Sequence, residues 1–208
     1  MYHLLLYSFL FFLPGLVYPH HPLNGGIMES FNDGFLSGIG HPILGLDHLA
    51  FIFGIGLFSY ISQKFYKFSF SFIVGTLVGL ISIYFGFYLP FYEIIVSLTL
   101  ILLSYVIVSK RGIHSKVVLF STFGIFHGWA YGAILLDKPL LNTNILLGYS
   151  LGLFLTQLLI AFLGYQLFKF LKRFKSSNIL VTPIFSGIMI GIASVNLFEI
   201  FESNIFNF

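Results

Sequence analysis

GHPILGLDHLAFIFGIG, residues 40–56, sets the architecture of this chain. It belongs to an apolar run from 41 to 62, and roughly 20 such residues in a helix cross the ~30 Å hydrocarbon layer of a bilayer. Within that run stand His41, Asp47 and His48. Five more runs follow, at 68–89, 91–109, 117–136, 143–168 and 180–201. Across all 208 residues 58% are hydrophobic and 8% charged, and the mean hydropathy is +0.98. So few polar groups could not coat a water-soluble globule, which excludes a soluble enzyme, a nucleic-acid-binding protein and a disordered regulator. The expected fold is all-α: a polytopic membrane bundle of six transmembrane helices after an N-terminal signal-like segment, or seven if that segment is retained.

Charge orients the bundle. Lys64 and Lys67, then Lys110, Arg111 and Lys116, then Lys169, Lys172, Arg173 and Lys175 fall in alternate loops, and Lys138 is the one basic residue on the other side. The positive-inside rule makes the basic loops cytoplasmic, so residues 20–40 and the C-terminus face the periplasmic side of a bacterial inner membrane. Glu29, Asp33, Asp137 and Glu202 fall in outer segments, and Glu93 and Glu199 near outer helix ends. The expected organisation is a signal peptide or extra helix at 1–19, an outer segment at 20–40 with an interfacial helix from 27 to 40, and a six-helix domain at 41–208. Glycines at four-residue spacing, Gly75/Gly79, Gly124/Gly128/Gly132, Gly148/Gly152 and Gly187/Gly191, are expected to let helices approach closely.

Ionisable groups inside hydrocarbon are functional candidates. Pro42 suits a first helical turn, with His41 as N-cap. On one continuous helix His41 and His48 would lie ~20° apart around the axis and ~10.5 Å apart along it, with Asp47 offset by ~100° from His48. Depth counting from the outer boundary puts His48 at ~10 Å, His127 at ~13 Å, Ser97 and Asn196 at roughly 7–9 Å, and Gln157 at ~20 Å. Glu93 sits nearer the rim. Tyr131 and Trp129 read first as packing aromatics, His20 and His21 as a weak entrance pair, and His114 as a solvated loop residue. Asp47 and His48 could equally be hydrogen-bonded glue between helices. With no cysteine in the chain, any metal must be held by nitrogen and oxygen, a set that suits borderline divalent ions.

These residues resemble the HupE/UreJ proteins, small bacterial membrane proteins regarded as nickel or cobalt permeases. The motif HPxxGxDH is matched by His41, Pro42, Gly45, Asp47 and His48, with Gly34 and Phe35 upstream; Glu93 and Ser97 in YEIIVS and His127 and Gly128 in FHGWAYG match further family segments. Where the family commonly has a second His and a nearby Glu, this chain has Tyr131 and Ile134. The resemblance implies a permease that imports Ni2+ or Co2+ from the periplasm for metalloenzyme or cofactor maturation, with Zn2+ ranking behind them and no permanently bound cofactor. It implies metal ligation by His41, Asp47, His48, His127 and Glu93, with Ser97 in support; Asn196, by its depth, and Tyr131, as a hydrogen-bond donor to a metal-bound water, are further supporting candidates. Hydrogenase, urease or other nickel and cobalt enzyme maturation proteins would be its partners.

Two other readings compete: an intramembrane metal-dependent hydrolase, in which a zinc-bound water is activated, and a non-transporting metal-sensing or assembly protein. The chain has no GxxxxGK[ST] phosphate loop and no GxSxG elbow, so the expectation is a transporter without an ATP site rather than an enzyme.

Overall fold

A computed structural model describes residues 28–109, 116–135, 142–173 and 181–206. The segment 1–19, His20, His21, His114, Asp137 and Lys138 lie outside the described residues. Those described form seven α-helices and no strand: α1 (Phe31–Leu44), α2 (Leu46–Ser62), α3 (Phe65–Tyr84), α4 (Tyr92–Ser109), α5 (Lys116–Gly132, continued by a 3-10 turn, Ala133–Leu135), α6 (Thr143–Leu171) and α7 (Val181–Phe206). Among the described residues five helices, α3 to α7, are each long and apolar enough to cross a membrane, and α1 with α2 passes that test only as a pair bent by 78°, a broken span or a re-entrant loop, which makes five to six spans.

That bend revises the expected start of the first span. Ser30 caps α1 and shares a capping box with Asp33, whose carboxylate accepts the Ser30 N–H at 2.9 Å, so the helix begins ten residues before His41 and runs through it. The expected boundary between residues 40 and 41 therefore falls inside a helix. Pro42 sits in the last turn of α1 rather than in a first turn; lacking an N–H it weakens that turn, and the helix stops at Gly45. Gly45, in extended conformation, is both the C-cap of α1 and the N-cap of α2. Asp47 then accepts the His48 N–H at 2.8 Å, satisfying one of the donors left over at the start of α2 and placing its charge at the positive end of the helix dipole.

Glycines set the closest helix pairs. Gly34 and Gly38 of α1 lie on the carbonyls of Ile145 and Tyr149 in α6, and Gly148 and Gly152 lie on those of Phe31 and Phe35. Numbers rise together on both chains, so α1 and α6 run parallel. The 29 residues of α6 span ~43 Å, enough to meet α2 as well, where Gly56 faces the Ala161 carbonyl. The same register recurs between α3 and α5: Gly75 and Gly79 meet the carbonyls of Ser121 and Ile125, and Gly124 and Gly128 those of Phe72 and Thr76. At Gly187 and Gly191 a Cβ would meet nothing within 4 Å, so this expected packing ladder is absent. Helix α7 lies at the rim of the bundle, with 17% of its spanning window buried, and these glycines face away from its neighbours.

Lys64, Lys67 and Lys116 line one cavity of about 510 Å³, and Lys172 sits 5.0 Å over the Tyr60 ring. Residues from all three basic segments thus gather at one end of the bundle. Between that end and the middle lies a core rich in phenylalanine, including Phe51, Phe58, Phe68, Phe72, Phe120 and Phe123. A smaller cluster around Tyr131, Tyr149 and Leu153 packs toward the opposite end. The histidines lie where the two meet.

Candidate metal centre

The bend at Gly45 brings together what one straight helix would hold apart. His41, in the last turn of α1, and His48, in the first turns of α2, have ring centroids 5.6 Å apart, about half the axial separation expected on a continuous helix. His127 arrives from α5, and its Nδ1 lies 3.0 Å from Nδ1 of His48. The matched depths read from the sequence for these two side chains correspond to direct contact.

Proton positions in this cluster follow from its hydrogen bonds. Thr99 Oγ1 is 2.6 Å from the Val96 carbonyl, which only accepts, so the single hydroxyl proton goes there. The 3.0 Å contact of Thr99 with His127 Nε2 is then one in which the imidazole donates. Neutral His127 has Nδ1 as its acceptor, and His48 Nδ1 donates to it. The same logic fixes His41: the Tyr149 hydroxyl donates to the Tyr131 carbonyl at 2.8 Å, so His41 Nδ1, 2.7 Å from that hydroxyl, is the donor. His41 and His48 therefore each carry a proton on Nδ1, and a neutral ring held by a partner at that nitrogen can ligate a metal at the other.

His127 is fully buried and has both ring nitrogens engaged, by Thr99 and by His48. Phe51 and Phe72 pack on its ring at 4.2 and 5.4 Å between centroids, which fixes the plane in which it meets His48. Tyr131, fully buried, lies against both other imidazoles, at 5.0 Å from His41 and 4.3 Å from His48. The expected ligands do not all converge. Asp47 is half-buried at the cap of α2, within electrostatic reach of Glu93 at the exposed start of α4. Ser97 is buried on α4 with a hydroxyl that makes no hydrogen bond, and Asn196 stands half-buried on α7. Among the described residues no three His, Cys, Asp or Glu side chains are close enough together to hold a metal ion. The arrangement offers two imidazole nitrogens on adjoining helices, with carboxylates nearer the rim.

Thr99 and Tyr149 carry no mark of a site role in the sequence. Each is a lone hydroxyl in an apolar run, and the signal available was Tyr149 inside the Gly148–Gly152 pair, where close packing leaves room for few large side chains.

Fold and site together define a polytopic helical membrane protein with a buried histidine cluster. The sequence matches the family described as HupE / UreJ protein over residues 9–197, and the chain belongs to that family. The family is associated with nickel and cobalt transport or accessory functions and is tied to hydrogenase and urease maturation; it is not a known enzyme class. No curated protein and no solved structure matches the chain.

Proposed function

We propose that this protein is a permease that carries Ni2+ or Co2+ inward across the bacterial inner membrane to supply metalloenzyme or cofactor maturation. The observation that carries the reading is the pair of imidazoles, His41 and His48, brought together at the bend and held through their Nδ1 atoms by Tyr149 and by the Thr99–His127 relay. Neutral nitrogen donors without thiolate suit these borderline ions. Two protein ligands, with the rest of the shell left to water, suit cargo that must be released, whereas structural sites close around their metal with four.

In this account Asp47 and Glu93 draw the cation to the mouth by charge, His41 and His48 bind it, and His127 holds His48 in its ligating form. The basic end of the bundle is cytoplasmic by the positive-inside rule, so the histidines lie toward the periplasmic side. A divalent ion crossing the whole field gains ~4.6 kcal/mol per 100 mV, which favours inward movement without ATP.

Nickel and cobalt accumulation by cells expressing the wild type or His48→Ala tests the reading. Accumulation above background with the wild type, and at background with the variant, is expected. Equal accumulation by the two would contradict it.

A further inference from the structure

We propose that the cavity at the basic end of the bundle binds the phosphate headgroup of an anionic phospholipid from the adjoining leaflet. The site lies apart from the imidazoles and stands whether or not the chain carries metal.

Lys64 and Lys67 at the start of α3 and Lys116 at the start of α5 line this cavity of about 510 Å³, a size that suits a small ligand. Long cationic side chains at a membrane boundary ordinarily reach outward, each into its own water. These three, from two helices, share one hollow instead. Lys116 is half-buried, and its Nζ lies 4.7 Å from the centre of the Phe58 ring, which sets the ammonium against the cavity wall.

The chain supplies no counter-charge here. From 48 to 92 and from 94 to 136 it has no Asp or Glu, and those two stretches contain every residue that lines the cavity. Asp47 and Glu93, the nearest acids in sequence, stand at the opposite ends of α2 and α4, ~17 Å from Phe58 and ~21 Å from Ile107 along the helix axes. The backbone adds to the positive field. Helices α3 and α5 both begin at this end, neither has an acid in its first turn, and Lys64, the N-cap of α3, makes no side-chain capping bond, so two positive helix-dipole ends border the cavity. Ammonium groups that share a cavity without a counter-ion repel one another, and an anion relieves that repulsion.

The apolar wall chooses among anions. Phe58, Phe68 and Ile107 line the same cavity and are buried, and Phe58 lies a full turn inside the end of α2. A free, fully hydrated anion gains nothing from such a wall. An amphiphile gains from both parts, with its phosphate among the lysines and its glycerol and first methylenes against the rings. Basic pockets between spanning helices take lipid headgroups in this manner.

The test uses the purified full chain in a neutral detergent, titrated with phosphatidylglycerol or phosphatidylcholine and read by native mass spectrometry as lipid retained per chain. One phosphatidylglycerol per chain is expected, held about tenfold more tightly than phosphatidylcholine or better. At about fivefold per lysine, Lys67→Gln/Lys116→Gln is expected to lower that affinity roughly tenfold or more. Lys169→Gln/Arg173→Gln removes the same charge from residues that do not line the cavity and is expected to leave the affinity unchanged. Equal loss in the two double variants would overturn the proposal, since the attraction would then belong to the whole basic surface, and so would equal affinity for the two lipids. Glycerol 3-phosphate separates a free anion from a lipid: it is expected to leave phosphatidylglycerol bound, and displacement at equal concentration would overturn the lipid as occupant. Should the cavity double variant fail to give a monodisperse protein, Lys67→Gln alone, at an exposed position, decides: about fivefold weaker binding is expected, and unchanged binding would overturn the site.

Discussion

Thr99 and Tyr149 act through their protons. Each spends its hydroxyl hydrogen on a backbone carbonyl and so leaves its oxygen to accept from an imidazole, which is how two neutral side chains outside the binding pair determine which nitrogen of His41 and His48 can ligate. Outer partners of metal-bound histidines are typically worth ~10–100-fold in affinity. Thr99→Val, which keeps shape and removes the hydroxyl, is expected to weaken Co2+ binding by about that factor while leaving the unfolding midpoint in detergent little changed. Tyr149→Phe is expected to do the same through His41. Titration of purified protein by calorimetry checks both, and wild-type affinity in either variant would remove that residue from the relay. The pair His48 and His127 was legible in the sequence because depth along a spanning helix is set by counting residues. Their partners were not, because a hydroxyl in an apolar run carries no sign of the direction in which it donates.

Between elements, Gly45 decides the geometry of the site. Its backbone is in an ordinary extended conformation, so the constraint is space: a Cβ there would lie 2.9 Å from Cδ2 of the His48 ring and 3.2 Å from Oδ1 of Asp47. Gly45→Ala is expected to push the His48 ring off its contact with His127 and to lower Co2+ affinity at least tenfold without loss of helical circular dichroism. Unchanged affinity would show that the ring has room to give. The glycine ladders make a parallel contrast. A side chain at Gly124 would strike the Phe72 carbonyl, backbone that has no means of moving aside, whereas Gly187 faces open space. Gly124→Val is expected to destabilise the bundle by about 1–3 kcal/mol or more, as overpacking does, and Gly187→Val to leave it unchanged, as read by thermal unfolding in one detergent. Spacing announced all four ladders, but four-residue spacing says only that glycines share a face. Which face is turned inward depends on the neighbours, and α7, at the rim, turns its own outward. The break at Gly45 was hidden for a similar reason: Pro42 marks a helix start or a helix end with the same residue, and the capping box at Ser30 and Asp33, which settles the matter, sits twelve residues upstream.

At the scale of the molecule, the five long apolar helices and the clustering of basic residues at one end were readable from hydropathy and charge alone, since both follow from the cost of moving groups into hydrocarbon. The side from which the histidines receive the ion depends on which end faces the cytoplasm. Because the chain contains no cysteine, single replacements report this cleanly: Lys67→Cys is expected to react with a membrane-impermeant thiol reagent only after the cells are opened, and Glu202→Cys to react from outside in intact cells. The reverse pattern would turn the histidines toward the cytoplasm and remove the basis for capture of the ion from the periplasm.

His41 and His48 are expected to bind the ion through their Nε2 atoms while His127 stays outside the coordination shell. X-ray absorption by Co2+ bound to the purified protein counts imidazole ligands directly through their multiple scattering. Two imidazoles are expected in the wild type, one in His48→Ala and two in a His127→Asn variant that retains binding. A fully hydrated Co2+, or a third imidazole lost on replacing His127, would contradict the account.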